Sequence, residues 1–222
     1  MDTLISIAQL LGIFMAIFFI AMGVSWFSYK YGAKRYLTPL LPLINGEIKV
    51  PIFGESSLEG AWEGKRVKIT YAPASKYRTE RFFIYFFCSL PLEATIARKN
   101  LIDKVKDKFK SSVASEDINF DAKYIVRSND DTKTRLFLNH QRREIVERIF
   151  NLITIGLENI PPLESAKDKQ ALKMLEGNKS ILELKPEQII LKHYVIKVGL
   201  PPSDAVRIIF EGILKAMRDL AG

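Results

Sequence analysis

Between Leu4 and Trp26 the chain runs 23 residues without an Asp, Glu, Lys or Arg. Coiled as an α-helix, such a run is about 35 Å long, enough to cross a hydrocarbon core of about 30 Å. It predicts a transmembrane helix, with everything after it held at one leaflet. Met1-Asp2-Thr3 lacks the basic residues of a secretory leader, and the apolar run is longer than a leader's core. Retention is therefore expected, although Ala21-Met22-Gly23 has the small-residue character of a cleavage site. Asp2 is the only charged residue before Lys30, whereas Lys30, Lys34 and Arg35 follow the run directly. That asymmetry predicts a single pass of the inner (cytoplasmic) membrane, N-terminus outside and C-terminal domain in the cytoplasm. Trp26, Tyr29, Tyr31 and Tyr36 fall where amphipathic rings favour the headgroup level.

Ala8, Gly12 and Ala16 recur every four residues within the run, with Gln9 beside them. On a helix they share one face, small enough for another helix to approach closely, and a lone amide in hydrocarbon favours an interhelical partner. The face reads as a packing surface for a membrane-protein partner or a second copy of the chain. Pro39 and Pro42 predict a break and a short stiff linker over 37–43, which separates an anchor at 1–36 from one soluble domain at 44–222.

In the domain, Glu63-Gly64 between Leu58–Trp62 and Lys65–Tyr71 predicts a β-hairpin, with Val67, Ile69 and Tyr71 alternating against Lys68 and Thr70. Arg81–Leu90 is apolar on both faces and predicts a central strand covered on both sides. Leu92–Ile96 predicts a short strand, and Arg98–Lys110 a helix with Leu101, Ile102, Val105 and Phe109 on one side. Ile118–Arg127 alternates as a strand. Asp130 or Asp131 then caps a long helix, Thr132–Asn151, with Leu136, Leu138, Ile145, Val146, Ile149 and Phe150 buried. Leu152–Leu157, Ile181–Leu184 and Gln188–Val198 read as strands, Glu164–Leu175 as a helix. Ser203 opens a last helix with Val206, Phe210, Ile213, Leu214, Met217 and Leu220 as its apolar stripe. The fold class is α+β, a mainly antiparallel sheet with packed helices behind one transmembrane helix.

The pattern Gly60-x-Trp62-x-Gly64-x-x-Val67-x-Ile69, with Phe120-Asp-x-x-Tyr124-x-Val126-x-Ser128-x-Asp130 and a long helix after it, resembles that of uncharacterised bacterial membrane-anchored proteins. The resemblance spans Leu58 to Asn151. It implies the α+β layout and carries no activity.

The formal charge of +8, all of the basic excess lying from Lys30 onward, suits an anionic membrane surface or an acidic partner more than nucleic acid. Lys30, Lys34, Arg35, Lys99, Lys104, Lys106, Lys108 and Lys110 are the candidate contacts for such a surface. One cysteine, Cys88, excludes an intrachain disulfide framework, and His140 and His193 fall in no metal-ligand spacing. Gly60–Arg66 lacks the gap and the hydroxyl residue of a phosphate loop, and Asp121, Asp130 and Asp131 are explained by strand alternation and capping. No catalytic, cofactor or metal residues are assigned. The expected role is that of a non-catalytic membrane subunit or scaffold, with a lipid- or nucleic-acid-binding module and an enzyme of unknown class as alternatives.

Overall fold

The computed structural model describes residues 2–51, 54–73, 80–98, 111–157, 179–195 and 204–222. Helix α1 is Asp2–Leu37, 36 residues and about 54 Å, and it is long and apolar enough to cross a membrane. A 3-10 turn, Thr38–Leu40, follows directly, with Pro39 near its start. The segment 37–43 is not a spacer. Leu37, Leu40 and Ile44 are fully buried, together with Ala33 and Tyr36 on the last turns of α1. The prolines do end the α-helix, yet the side chains around them are apolar and fall where the sheet needs cover, so they pack instead of solvating.

Nine described strands form one antiparallel sheet: β1 (Asn45–Lys49), β2 (Ser56–Trp62), β3 (Lys65–Ala72), β4 (Glu80–Phe87), β5 (Ala94–Arg98), β6 (Ser111–Val113), β7 (Tyr124–Ser128), β8 (Lys179–Lys185) and β9 (Gln188–Val195). Their spatial order is β1-β2-β3-β4-β9-β8-β5-β7-β6. The β8–β9 hairpin therefore joins two halves of the sheet that are separated in sequence. One aliphatic row crosses every strand in register: Ile48, Leu58, Ile69, Ile84, Leu191, Leu182, Ile96, Val126 and Val113. Since side chains alternate in direction along a strand, this row commits one whole face to the core.

Among the described helices the end of α1, α4 (His140–Leu157) and α5 (Asp204–Ala221) contribute most of the helical part of the core. On α5, Val206, Phe210, Ile213, Leu214, Met217 and Leu220 are buried as the sequence stripe requires, each worth about 1.5–3 kcal/mol of transfer free energy. The opposite face of the sheet is less covered. On β4, Phe82, Ile84 and Phe86 are buried while Phe83, Tyr85 and Phe87 are only half-buried, so the strand has one covered face, not two.

The β2–β3 hairpin turns on Glu63 and Gly64, both at positive φ (47° and 76°), the geometry whose twist matches paired strands. Near the same end of β2, Gly46 and Gly60 face each other across β1 and β2. A Cβ on Gly60 would overlap the Asn45 carbonyl and the Gly46 Cα, both backbone atoms that cannot swing aside. Gly60→Ala is expected to cost about 2 kcal/mol by overpacking. A urea midpoint unchanged from the parent chain in the same detergent would contradict this close approach.

Several sequence expectations change between 118 and 157. Ile118–Lys123 is a short helix, α2, and the strand begins only at Tyr124. Asp117 accepts hydrogen bonds from the Asn119 and Phe120 amides, and the Asp121 carboxylate accepts from Ser115 N at 3.0 and 3.1 Å. These local bonds favour a turn of helix over the alternation the residues spell, and Ile118 is left 87% exposed. The predicted helix Thr132–Asn151 is two helices, α3 (Asp131–Phe137) and α4, with Asn139 capping α4 through Arg142 N at 3.0 Å. The break turns Leu136 to solvent, 75% exposed, and buries Phe137 in its place, while Leu138 is buried as expected. Asp130 caps α3 as expected, accepting from Lys133 N. Leu152–Leu157 continues α4 and is not a strand.

Arg98 closes β5 instead of opening a helix, and residues 99–110, 164–175 and 196–203, on which other expectations fall, lie outside the described residues.

Candidate functional site

Polar groups are rare on the core face: Ser128 closes β7 at one end of the sheet, and a larger group gathers at the opposite end. That end is made by the starts of β2, β4, β7 and β8 and the finishes of β3, β5 and β9. One row there reads Ser56, Tyr71, Phe82, His193 and Ser180 in register. Glu80 begins β4 and is 3% exposed. Tyr71 Oη donates to Glu80 Oε1 at 2.9 Å. Burial pushes the Glu80 carboxyl up to about 7, against the opposing pull of the Tyr71 hydrogen bond.

Helix α1 supplies the cover over this cluster. Tyr36 stacks on Tyr71 with ring centroids 3.8 Å apart and planes 1° from parallel, and its buried hydroxyl has no hydrogen-bond partner among the described residues. The ring, expected to face headgroups, is enclosed in the core of the domain. Lys30, expected to face an anionic surface, is 6% exposed and donates to the Gly54 carbonyl at 3.1 Å. Lys34 and Arg35 are exposed. The remaining candidates, Lys99, Lys104, Lys106, Lys108 and Lys110, lie outside the described residues.

His193 is fully buried, its Nδ1 2.7 Å from Ser180 Oγ and its Nε2 without a partner among the described residues. Burial first, and the charge of Arg98 second, hold its pKa down to about 3, so the ring is neutral. Arg98 donates to the Phe150 carbonyl at 2.9 Å and to Thr154 Oγ1, tying β5 to α4. A serine beside a neutral histidine has the elements of a nucleophile and base. Here both are sealed beneath Phe82, itself packed on Phe210, and their proximity orders the core. Glu80 likewise has the pKa of a general acid–base group but is closed over by the two tyrosines.

A cleft of about 300 Å³ lies apart from this cluster, lined by Asp117, Asn119, Phe120, Lys123, His140, Arg143, Glu144 and Glu147. Its polar side chains face one another: Lys123 pairs with Glu147 at 3.1 Å and Arg143 Nε with Asp117 at 3.5 Å, and His140 Nε2 lies 3.4 Å from Glu144. Arg143 Nη1 also donates to the Ser115 and Leu138 carbonyls, which pins the loop before α2 to α4. Two backbone amides and Arg143 hold Asp117 below the usual carboxylate range. Among the described residues no His, Cys, Asp and Glu group is arranged to hold a metal. On the less covered sheet face Glu59 sits between Lys49 and Lys68, Glu183 beside Lys192, and Arg81 beside Glu55, so part of the basic excess is locally neutralised.

Along α1 the residues from Leu11 to Val24 are exposed, and a Cβ on Gly12 would meet nothing within 4 Å. Gly12 and Ala16 thus stand on an open helix surface, while the side chains of Ala8 and Gln9 lie outside the described ones. No family model, curated protein or solved structure matches this chain.

Proline spacing predicts a spacer over 37–43, where the chain instead joins helix to sheet through buried Leu37 and Leu40. Glu80 sits at even spacing from Phe82, Ile84 and Phe86, which places it inward, and Tyr71 shares the face of Val67 and Ile69. A buried carboxylate and a buried phenol on adjacent strands need each other as partners, and that was the available signal.

Proposed function

We propose that the chain is a non-catalytic single-pass membrane subunit or scaffold. Its apolar helix packs on a membrane partner or a second copy, with N-terminus outside, and its cytoplasmic domain stabilises the assembly. The observation that carries this reading is the continuity of α1. One helix passes from a fully exposed apolar surface into the core, where Ala33, Tyr36 and Leu37 are buried. A domain fused in this way transmits the position of its helix without slack, which suits a part that must hold a fixed geometry in a complex. The basic side chains after the span, against none before it, support the orientation. A second reading, contact with anionic lipid, is favoured by the exposure of Lys34 and Arg35.

Gly12→Leu tests the packing face without touching the domain. A mild-detergent extract of the variant is expected to lose the larger species that the parent chain forms on a native gel. Unchanged migration would count against association through this helix face.

A further inference from the structure

Resting on the reading of α1 as a membrane span, we propose that Pro51 and Gly54, which lie between β1 and β2, sit in the lipid headgroup layer. The bilayer surface is thus a second contact of the domain beyond its helix. The argument is one of height along α1. Lys30 is the first charged residue after the apolar run, and its ammonium is bonded to the Gly54 carbonyl at 3.1 Å. Phe27 stands three residues earlier on the same helix, exposed, which is about 4.5 Å of axial rise. The headgroup region of one leaflet is about 5–7 Å deep, so Gly54, at the level of Lys30, falls within it when Phe27 marks the hydrocarbon edge.

Direction along the helix is fixed by two contacts. Tyr36 stacks on Tyr71, the partner of Ser56 at the start of β2, whereas Lys30 reaches Gly54, two residues before that start. Moving toward the N-terminus of α1 therefore carries one off this end of the sheet and on to the apolar span. Strand β1 points the same way, since Lys49 pairs with Ser57 and Val50 and Pro51 continue past it, both exposed.

The charges at this end suit an anionic surface. Lys34 and Arg35 are exposed one turn beyond Lys30, and side chains on a helix lean toward its N-terminus, here toward the bilayer. The acidic groups nearby are occupied: Glu55 by Arg81, Glu80 by Tyr71. Lys30 itself does not serve as a lipid contact. Its bond to Gly54 fixes the loop's height instead.

Depth measurement on the full chain in nanodiscs of mixed neutral and anionic lipid tests the proposal. In a Cys88→Ser background, which removes the one cysteine, single spin labels are placed through Phe18→Cys, Pro51→Cys and Glu187→Cys. Glu187 lies in the exposed β8–β9 turn at the opposite end of the sheet. The expected result is a Phe18 label in hydrocarbon, a Pro51 label with its collisions with an aqueous nickel chelate largely lost, and a Glu187 label fully open to the chelate. A Phe18 label in lipid with Pro51 as open as Glu187 overturns this proposal and leaves the span intact. A Phe18 label open to water overturns the span and the proposal with it. Val50→Cys, on the same exposed stretch, gives an independent position should the Pro51 label disturb folding, and it is expected to lie shallower than Pro51.

Discussion

A fragment starting at Ile44 is expected not to fold, whereas one starting at Tyr29 unfolds cooperatively. The shorter fragment lacks Ala33, Tyr36, Leu37 and Leu40, all buried against β2, β3 and α5 or in the core they share. Removing large buried side chains costs about 2–5 kcal/mol each, so the combined loss is on the order of 10 kcal/mol. That equals the whole stability of an ordinary domain, about 5–15 kcal/mol. It also strips the cover from Tyr71 and Glu80, exposing the polar end of the core to water. Circular dichroism and urea unfolding of the two fragments, monitored at Trp62, which is buried and faces Phe86, provide the measurement. Matching cooperative transitions in both would show that the helix end is only draped over the domain.

The same residues explain why the sheet was readable and the junction was not. Val67-Lys68-Ile69-Thr70-Tyr71 and the α5 stripe repeat at periods that only one regular structure satisfies, and each occupies the face its pattern assigns. At 118–123 the alternation of Ile118, Phe120 and Ala122 was equally clear, yet the Asp117 and Asp121 carboxylates offered the backbone local bonds that a strand would forgo. The break at Leu138–Asn139 depends on a single asparagine bonding Arg142 N, within a run whose apolar spacing suits one helix or two. The meeting of Tyr36, Tyr71 and Glu80 joins α1, β3 and β4, and no local pattern encodes a contact between three elements so separated. Ser180 and His193 are nearer in sequence, but their pairing follows from the β8–β9 register, which the turn at Pro186-Glu187 sets.

Glu80 and His193 are expected to give the protein a stability plateau between about pH 4.5 and 6.5, which either single substitution destroys. His193 is held down to about 3 from an ordinary 6.5, so below pH 6.5 the unfolded chain gains a proton that the folded chain refuses. Stability is lost as pH falls through that range, by about 1.4 kcal/mol per pH unit. Glu80 is raised from 4.5 to about 7, so the folded chain keeps a proton that the unfolded chain has released. Its stabilisation is complete below pH 4.5 and is lost as pH rises to about 7, with a slope of similar size and opposite sign. Across the shared window the slopes cancel. Glu59, Asp117, Asp130 and Glu211 are held below their ordinary range and lose their contributions mainly at more acid pH, outside it. Glu80→Gln retains an acceptor for Tyr71 and leaves the histidine slope alone, so stability should fall by about 3 kcal/mol between pH 6.5 and 4.5. His193→Gln leaves the carboxyl slope alone, so stability should fall by a similar amount as pH rises from 4.5 to 7. Urea midpoints of the full chain in neutral detergent, read from Trp62 with Trp26→Phe to silence the helix, measure both. Profiles of the two variants that parallel the parent chain would mean that neither group is desolvated in the core. A single tilted profile would identify the one group that water still reaches.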